Sequence, residues 1–243
     1  MKQGFFTIRE NRKLAPGTFC MVLEGDTSAI TVPGQFVNIA LDGKFLRRPI
    51  SVCDWTEGVL TILYKAVGKG TGQMSEMKPG QRLDLLTGLG NGYALEKSGE
   101  RPLLIGGGAG IPPMYALAKR LLSEGKRPAV ILGFNTAAEE FFCEEFKALG
   151  VPVSITTVDG SDGVKGFVTD AMPSGDYTYF FTCGPAPMLR AVYDASETSG
   201  QFSFEERMGC GFGACMGCTC QTKYGNKRIC REGPVLEKEE ILW

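Results

Sequence analysis

Four cysteines near the C-terminus constrain this chain more than any other feature. Cys210, Cys215 and Cys218 are separated by four and then two residues, and Cys230 follows after eleven more. This is the plant-type spacing for a [2Fe–2S] cluster held by four thiolates. Glycines alternate with the thiols, and glycine lets a tight loop wrap a cluster with its N–H groups directed at the sulfurs. A structural zinc ion held by the same four thiolates is the alternative.

The remaining cysteines fit the same interpretation. The chain has nine cysteines, an odd number, and no secretion signal. This favours metal ligation in a reducing compartment, the cytoplasm, over disulfides. Cys220 lies beside the ligand run but outside its spacing, and we expect it to pack or to be a bystander, although it could be mistaken for a ligand.

Composition excludes several classes of function. The chain has no histidine and a net charge of −1. A histidine-based triad, a Rieske centre and a histidine-ligated zinc site are therefore excluded, and cofactors are expected to carry the chemistry. No basic surface indicates nucleic acid, and no apolar run is long enough to predict a membrane span.

The first part of the chain has the pattern of an all-β domain. Short β-prone runs are separated by glycine-containing turns, which predicts a small antiparallel barrel over residues 1–98. The predicted strands are Phe6–Ile8, Thr18–Leu23, Gln35–Leu41, Ile50–Cys53, Leu60–Val67 and Arg82–Leu86.

Strands and helices then alternate over residues 99–200, which predicts a parallel sheet with helices on both faces. The predicted strands are 101–105, 129–134, 153–158 and 178–182, and the predicted helices cover 114–122, 137–149 and 185–197. A polar linker, Ser196–Gly200, is expected to lead into a cysteine module over residues 201–243.

Two segments of the barrel carry phosphate-binding chemistry. Leu46–Ser51 contains two adjacent arginines and a strand hydroxyl, and Leu63–Gly72 is a strand that runs into a glycine-rich loop. Arginine and free backbone N–H groups both bind phosphate. A basic strand end and a flexible turn are equally compatible with these two patterns.

Two further segments lie where a nucleotide binds an open α/β sheet. Gly106–Pro113 joins a strand to a helix as G-x-G-x-x-P, and proline suits a first helical turn. Thr182–Met188 follows a later strand, and an exposed Cys183 there would contact a nicotinamide. The alternatives are a purely structural turn and a buried small residue.

Taken together and in this order, the motifs resemble the ferredoxin–NAD(P)+ reductase superfamily. With the cysteine module added, essentially the whole chain resembles the electron-transfer subunits of bacterial dihydroorotate dehydrogenase B. The resemblance implies an FAD-binding barrel, a nicotinamide-binding α/β domain and a [2Fe–2S] module. Many superfamily members have tyrosine where this chain has Ile50, which removes an expected aromatic contact with the flavin but agrees with this subfamily.

The same resemblance implies site residues. Arg48 would pair with the FAD phosphates, Ser51 would reach the flavin ring edge, and Gly70 with Thr71 would hold the pyrophosphate. The full implied FAD set is Arg48, Pro49, Ile50, Ser51, Leu63, Tyr64, Lys65, Gly70 and Thr71. The implied nicotinamide set is Gly106, Gly107, Gly108, Ala109, Gly110, Pro113, Gly184 and Pro185, with Cys183 as the catalytic residue. The implied cluster ligands are Cys210, Cys215, Cys218 and Cys230.

The implied function is electron transfer in pyrimidine biosynthesis. An FMN-containing catalytic subunit would oxidise dihydroorotate, and electrons would pass through the cluster and FAD to NAD+, in a heterotetramer of two copies of each subunit. No arginine follows the second α/β strand to hold a 2′-phosphate, which favours NAD, and Glu139 is a candidate for the ribose. Met208, Phe212 and Met216 either contact the partner or shield the cluster.

Two other functions stay open at this stage. One is a reductase subunit that links NAD(P)H to ferredoxin, a hydrogenase or sulfite reductase. The other is a zinc-stabilised binding module without redox activity.

Overall fold

The computed structural model describes all residues, 1–243, and a closed antiparallel barrel forms its N-terminal part. The predicted six-stranded barrel is therefore confirmed. Its order is β1-β2-β5-β4-β3-β6, and a short helix, α1 (Lys69–Glu76), joins the fifth strand to the sixth. The strands are β1 (Lys2–Ala15), β2 (Thr18–Glu24), β3 (Phe36–Ile39), β4 (Arg48–Thr56), β5 (Val59–Lys65) and β6 (Arg82–Leu89).

Side chains alternate between the two faces of the barrel strands, so that one face fills the barrel and the other contacts neighbouring parts of the protein. Val37 and Ile39 of β3 pack inside the barrel with Phe6 and Leu60. The intervening Asn38 is only 1% exposed, yet it lies outside this core. Because successive side chains of a strand point to opposite faces, β3 contributes to the barrel core with one face and to its neighbours with the other.

The α/β part has a seven-stranded sheet in the order β10-β9-β8-β7-β11-β12-β15. Four parallel strands and two helices of 10 residues or more follow the predicted alternation, and the two-residue strand β10 was not predicted. The elements are β7 (Pro102–Gly107), α2 (Ile111–Ser123), β8 (Ala129–Phe134), α3 (Cys143–Ala148), β9 (Val153–Thr157), β10 (Val164–Lys165), β11 (Tyr179–Cys183) and α4 (Ala186–Ala195).

The continuous helix predicted over residues 137–149 is wrong. A 3-10 turn, Ala137–Glu139, is followed by α3, and Phe142 between them has a φ of 65°. A left-handed phenylalanine is costly, so packing must hold it there. Its ring is buried and meets the Tyr115 ring edge-on at 5.2 Å.

The predicted linker ends directly in a strand. β12 (Gly200–Ser203) pairs in parallel with β11, and β15 (Val235–Glu237) pairs antiparallel with β12. Between these two strands the chain forms the cysteine loop and a hairpin of β13 (Thr219–Thr222) and β14 (Gly225–Arg228). The cysteine module is therefore inserted between two strands at the edge of the sheet. The domain boundary at residue 200 stays a prediction, and the sheet extends across that position.

Two apolar cores join the three parts of the chain. One contains Cys20 and Leu63 of the barrel together with Met114 of α2. The other contains Phe36 of the barrel, Leu103 of the sheet and Ile229 of the cysteine module. No helix is long and apolar enough to cross a membrane.

Candidate functional site

The Arg48–Ser51 segment lies in β4, beside the N-terminus of α1. A Cβ added to Gly70 would lie 2.1 Å from the Arg48 Nε atom, so only glycine admits the guanidinium this close. Arg48 also donates to the Leu46 carbonyl. A guanidinium beside a helix N-terminus is suited to a pyrophosphate, because both supply donors and positive charge.

The glycine-rich loop predicted after β5 is instead the first turn of α1. Gly68 is its N-cap residue, and the Thr71 hydroxyl accepts from the N–H groups of Val67 and Gly68 at 3.1 and 3.3 Å. The Thr71 oxygen therefore fixes the start of the helix, and the next N–H groups are left to face a ligand.

Most side chains at the end of β5 are packed inside the protein. Leu63 and Tyr64 are each 4% exposed, and the Tyr64 hydroxyl donates to Asn11 at 2.9 Å. Burial raises the pKa of Tyr64 to about 12. Only Lys65 reaches outward, and its Nζ lies 3.2 Å from the Glu139 carboxylate. Flavin contacts by Leu63 and Tyr64 stay predictions and would have to use the backbone.

A cleft of about 580 Å³ opens at the carboxyl end of the sheet. It is lined by Gly107, Gly108 and Ala109 on one side, by Asn135 and Glu139 on another, and by Pro185 and Met188 of α4. This is the edge at which nucleotides bind open α/β sheets.

The turn predicted over Gly106–Pro113 is shorter than expected. Gly106 and Gly107 end β7, Gly108–Gly110 form a 3-10 turn, and Pro113 lies inside α2. A Cβ on Gly110 would lie 2.1 Å from the Cys183 carbonyl oxygen. Glycine is therefore required where the turn passes the end of β11.

Of the two alternatives for Cys183, an exposed thiol and a buried small residue, the structure shows the buried one. Cys183 ends β11 and is 1% exposed, and burial raises the pKa of its thiol to about 12. The Glu205 carboxylate acts in the same direction, and no sequence motif had singled it out. A catalytic role for Cys183 stays a prediction, whereas Gly184 and Pro185 carry the chain to the cleft.

The four predicted cluster ligands form two thiol pairs. The Cys210 N–H points at the Cys215 sulfur at 3.4 Å, and the Cys230 N–H points at the Cys218 sulfur at 3.4 Å. The two pairs are close enough that Cys210 raises the pKa of Cys230, although burial and Cys218 are the larger causes of its rise to about 12.

This paired arrangement fits a two-iron core. No three of the chain's cysteine, aspartate and glutamate side chains surround one common metal position. A single tetrahedral zinc ion needs all its ligands around one point, whereas a [2Fe–2S] core takes two thiolates on each iron. Cys220 lies in β13, outside the two pairs, and packs partly buried against the core that contains Cys218 and Cys230.

Backbone donors surround Cys210. Burial alone would raise the pKa of its thiol, but N–H groups of Phe212, Cys215 and Ala214 outweigh burial and lower the pKa to about 6. A thiolate that accepts several backbone hydrogen bonds is a suitable cluster ligand. Gly211, with a φ of 80°, supplies one of the left-handed turns that bring these groups together.

Asn38 of β3 connects the cysteine loop to the barrel beside the predicted flavin strand, a link that no sequence pattern indicated. Its Nδ2 atom donates to the Cys210 carbonyl at 3.1 Å, across 172 residues. In the barrel it pairs with Pro49 of β4. A Cβ on Gly211 would lie 2.3 Å from the same Nδ2 atom. The cluster loop therefore packs on β3, the strand paired with β4, which carries Arg48 and Ser51.

Of the three apolar residues near the cluster, Phe212 and Met216 are 40% and 55% exposed. Met208 instead packs partly buried against the core shared with the sheet. Met208 therefore packs against the protein's own core, whereas Phe212 and Met216 are exposed, and their contact with a partner stays a prediction.

A barrel, a nucleotide cleft and a thiol-lined loop in contact define a flavin- and NAD-dependent oxidoreductase with an iron–sulfur centre. Residues 205–242 match the model of the iron–sulfur cluster binding domain of dihydroorotate dehydrogenase B. The chain belongs to the family of dihydroorotate dehydrogenase B electron transfer subunits. The predicted FAD, [2Fe–2S] and NAD cofactors are thereby confirmed, and a catalytic partner subunit is implied by the family.

Similarity to these relatives extends over whole chains. The electron transfer subunit of Fusobacterium nucleatum dihydroorotate dehydrogenase B (NAD(+)) is 42% identical, with 99% of each chain covered. The Bacillus pumilus subunit of that name is 40% identical, covering 99% of this chain and 98% of its own. Among solved structures, the NADH-dependent reduced ferredoxin-NADP oxidoreductase has a chain that matches with a TM-score of 0.90. It is 30% identical and covers 99% of this chain and 90% of its own.

Proposed function

We propose that this subunit takes electrons from an FMN-containing catalytic subunit that oxidises dihydroorotate, and delivers them to NAD+ in pyrimidine biosynthesis. The observation that carries the proposal is the Asn38 contact, because it holds the predicted cluster ligand Cys210 against β3, the neighbour of the predicted flavin strand β4. A bound cluster moves single electrons and a flavin converts them to the pair that NAD+ requires. The protein's residues supply positions and donors, and none has to be a histidine. We propose a place in the cytoplasm, because nine cysteines, four of them proposed as cluster ligands, suit a reducing compartment.

The geometry supports a proposal for the residues that hold the cofactors. Arg48 and the first turn of α1 are proposed to bind the FAD pyrophosphate, with Ser51 at the ring edge. The turn at Gly108–Gly110 and the start of α4 are proposed to bind NAD+ in the cleft. Arg47 supports this arrangement, because it donates to the Asn38 carbonyl at 3.2 Å and pairs with Asp84 at 2.8 Å, which fixes β3 beside β4.

Reconstitution with the catalytic subunit tests the function. We expect this chain and an FMN-type barrel subunit, expressed together, to purify as a heterotetramer that reduces NAD+ when dihydroorotate is added. Neither subunit alone should do so. Failure of the two chains to associate, or NAD+ reduction by the barrel subunit alone, contradicts the proposal.

The exposed residues of the cluster loop sharpen the same experiment. Phe212→Glu places a charge on an apolar surface beside the cluster, and we expect it to prevent assembly. Val164→Glu changes an exposed apolar residue on the opposite edge of the sheet, on β10, and should leave assembly intact. Intact assembly of Phe212→Glu assigns this residue to shielding alone.

One comparison favours a second candidate function, electron exchange with a ferredoxin. The solved chain with the TM-score of 0.90 belongs to a ferredoxin-NADP oxidoreductase. A ferredoxin in place of the barrel subunit would use the same thiol pairs and the same cleft. Rapid ferredoxin reduction by NADH, with no association with an FMN-type barrel subunit, would favour this candidate.

Glu139 is proposed to select NAD over NADP. Its carboxylate accepts from Lys65 and, at 3.1 Å, from Asn135 at the rim of the cleft. A carboxylate there suits a ribose hydroxyl and repels a 2′-phosphate. In Glu139→Gln the Lys65 ammonium loses its counter-charge and attracts that phosphate. We expect the ratio of kcat/KM for NADH over NADPH to fall by about tenfold.

Dye reduction by the purified protein measures this ratio. Glu144→Gln is the matched control, because its carboxylate is 82% exposed on α3 and pairs only with Lys147. An unchanged ratio in Glu139→Gln, or an equal change in the control, contradicts the assignment.

A further inference from the structure

Arg228 is a charged residue of the cysteine module that the proposed function does not use. It ends β14, two residues before Cys230, and only 25% of its side chain is exposed. The next residue, Ile229, donates its N–H to the Cys218 carbonyl at 3.1 Å. Because a guanidinium does not lose its proton in a protein, Arg228 places a permanent positive charge beside the proposed cluster ligands.

The Arg228 guanidinium reaches one particular peptide group of the cysteine loop. Its Nη1 atom donates to the Gly213 carbonyl at 2.7 Å. The N–H of that same peptide group belongs to Ala214 and points at the Cys210 sulfur at 3.2 Å. Gly213 has a φ of 91°, which favours glycine, so the turn that presents this carbonyl depends on the residue type. A single peptide group therefore joins the guanidinium to the Cys210 sulfur.

Glu232 holds the guanidinium in this orientation. Its carboxylate accepts from Arg228 Nε at 2.9 Å, from Arg228 Nη2, and from the Arg228 backbone N–H at 2.8 Å. A two-pronged contact of this kind fixes the plane of a guanidinium, and Nη1 is then directed at Gly213. The carboxylate also offsets part of the positive charge that the cysteine loop experiences.

Both contacts of Arg228 bear on the reduction potential of an iron–sulfur centre. The reduced centre carries one more negative charge than the oxidised centre, so nearby positive charge and hydrogen bonds to the ligand sulfurs raise the potential. Hydrogen bonds in a chain polarise one another. A cation on the Gly213 carbonyl therefore strengthens the hydrogen bond from Ala214 to the Cys210 sulfur.

We propose that Arg228 raises the reduction potential of the [2Fe–2S] centre by polarising the Gly213–Ala214 peptide towards Cys210, and that Glu232 limits this effect. The inference rests on the proposed role of Cys210 as a cluster ligand. Arg228 is a positioning and tuning residue, because it acts through Cys210 and touches neither substrate nor flavin. The potential that it sets determines how readily electrons stay on the centre between the catalytic subunit and the flavin.

A potentiometric titration of the purified holoprotein, followed by electron paramagnetic resonance, tests the proposal. In Arg228→Gln the charge is lost, and we expect the ratio of reduced to oxidised centre at a fixed potential to fall by about threefold to tenfold. A tenfold fall is a potential lower by about 59 mV for a one-electron couple. Glu232→Gln should raise the same ratio, and Arg228→Lys, which keeps the charge, should recover part of the wild-type value.

Arg231→Gln is the matched control. Arg231 is exposed beside Cys230, and its Cδ atom lies 2.6 Å from the position of a Cβ added to Gly213, but it does not donate to the Gly213 carbonyl. It therefore carries the same charge at the same loop without the hydrogen-bonded peptide. We expect a smaller fall than in Arg228→Gln, and an equal fall in both variants overturns the role of the peptide.

The signs of the two shifts separate electrostatics from a loosened loop. Either substitution weakens the same ion pair, so a merely structural role would change the potential in one direction in both variants. Shifts of the same sign, or a wild-type potential in Arg228→Gln, overturn the proposal. If Arg228→Gln loses its iron, Glu232→Gln decides, and an unchanged or lower potential there overturns the proposal as well. Wild-type protein without iron contradicts the ligand assignment and the broader function instead.

Discussion

Replacing Cys218 with alanine is expected to remove the iron–sulfur cluster while the flavin stays bound. Cys218 is 2% exposed, and its sulfur is paired with the Cys230 N–H. Without it, one iron keeps a single protein thiolate and the core cannot be held. Iron should fall from about two atoms per chain to nearly none. Dihydroorotate-dependent NAD+ reduction by the complex should fall at least about a hundredfold.

The flavin provides an internal reference for this variant. NADH oxidation by a small dye that takes electrons from the flavin should continue, because Arg48 and α1 are untouched. Cys220→Ala is the matched control: this thiol, in β13, is not a member of either pair, so about two irons should remain. Full iron content in Cys218→Ala, or its loss in Cys220→Ala, contradicts the ligand assignment.

Gly110→Ala is expected to lower both the stability of the protein and its affinity for NADH, with the largest combined effect of any substitution. The added Cβ would lie 2.1 Å from the Cys183 carbonyl oxygen and 2.3 Å from its carbon, both backbone atoms of a central strand. Moving the backbone of a central strand has a high energetic cost, so the turn must separate from β11 instead. We expect the melting temperature to fall by at least about 5 °C and NADH affinity to fall at least about tenfold.

Gly72→Ala in α1 is the matched control, because no atom lies within 4 Å of its added Cβ. Alanine is the better helix former, so this change should be neutral or slightly stabilising. Thermal unfolding with FAD present and titration with NADH measure both effects. Wild-type stability in Gly110→Ala would show that the turn is loosely packed against β11.

Local patterns in the sequence were enough for most of the fold. The barrel strands and the alternation of the sheet depend on signals within a few residues, and so does the prediction of the four thiol ligands, which rests on the run from Cys210 to Cys218. The 3-10 turn and left-handed Phe142 were not predicted, because packing of that ring on Tyr115 overrides the helical pattern of residues 137–149.

Long-range pairing accounts for the features that were missed. The antiparallel pairing of β12 with β15 joins residues about thirty positions apart on either side of the cysteine loop, and nothing near Gly200 signals it. The Asn38–Cys210 bond spans most of the chain. The burial of Cys183 depends in the same way on the strands beside it. Sequence therefore identified the chemical groups, and only the tertiary structure showed which of them touch.

Anaerobic reduction of the purified subunit by NADH, followed by electron paramagnetic resonance at low temperature, tests the central claim most directly. Cofactor analysis of the same sample should give one FAD and about two irons for each chain. The account predicts that NADH alone produces the signal of a reduced [2Fe–2S] centre, because the thiol pairs and the flavin strand are in contact through Asn38. A zinc-loaded protein, or a cluster that stays oxidised while the flavin is reduced, would contradict it.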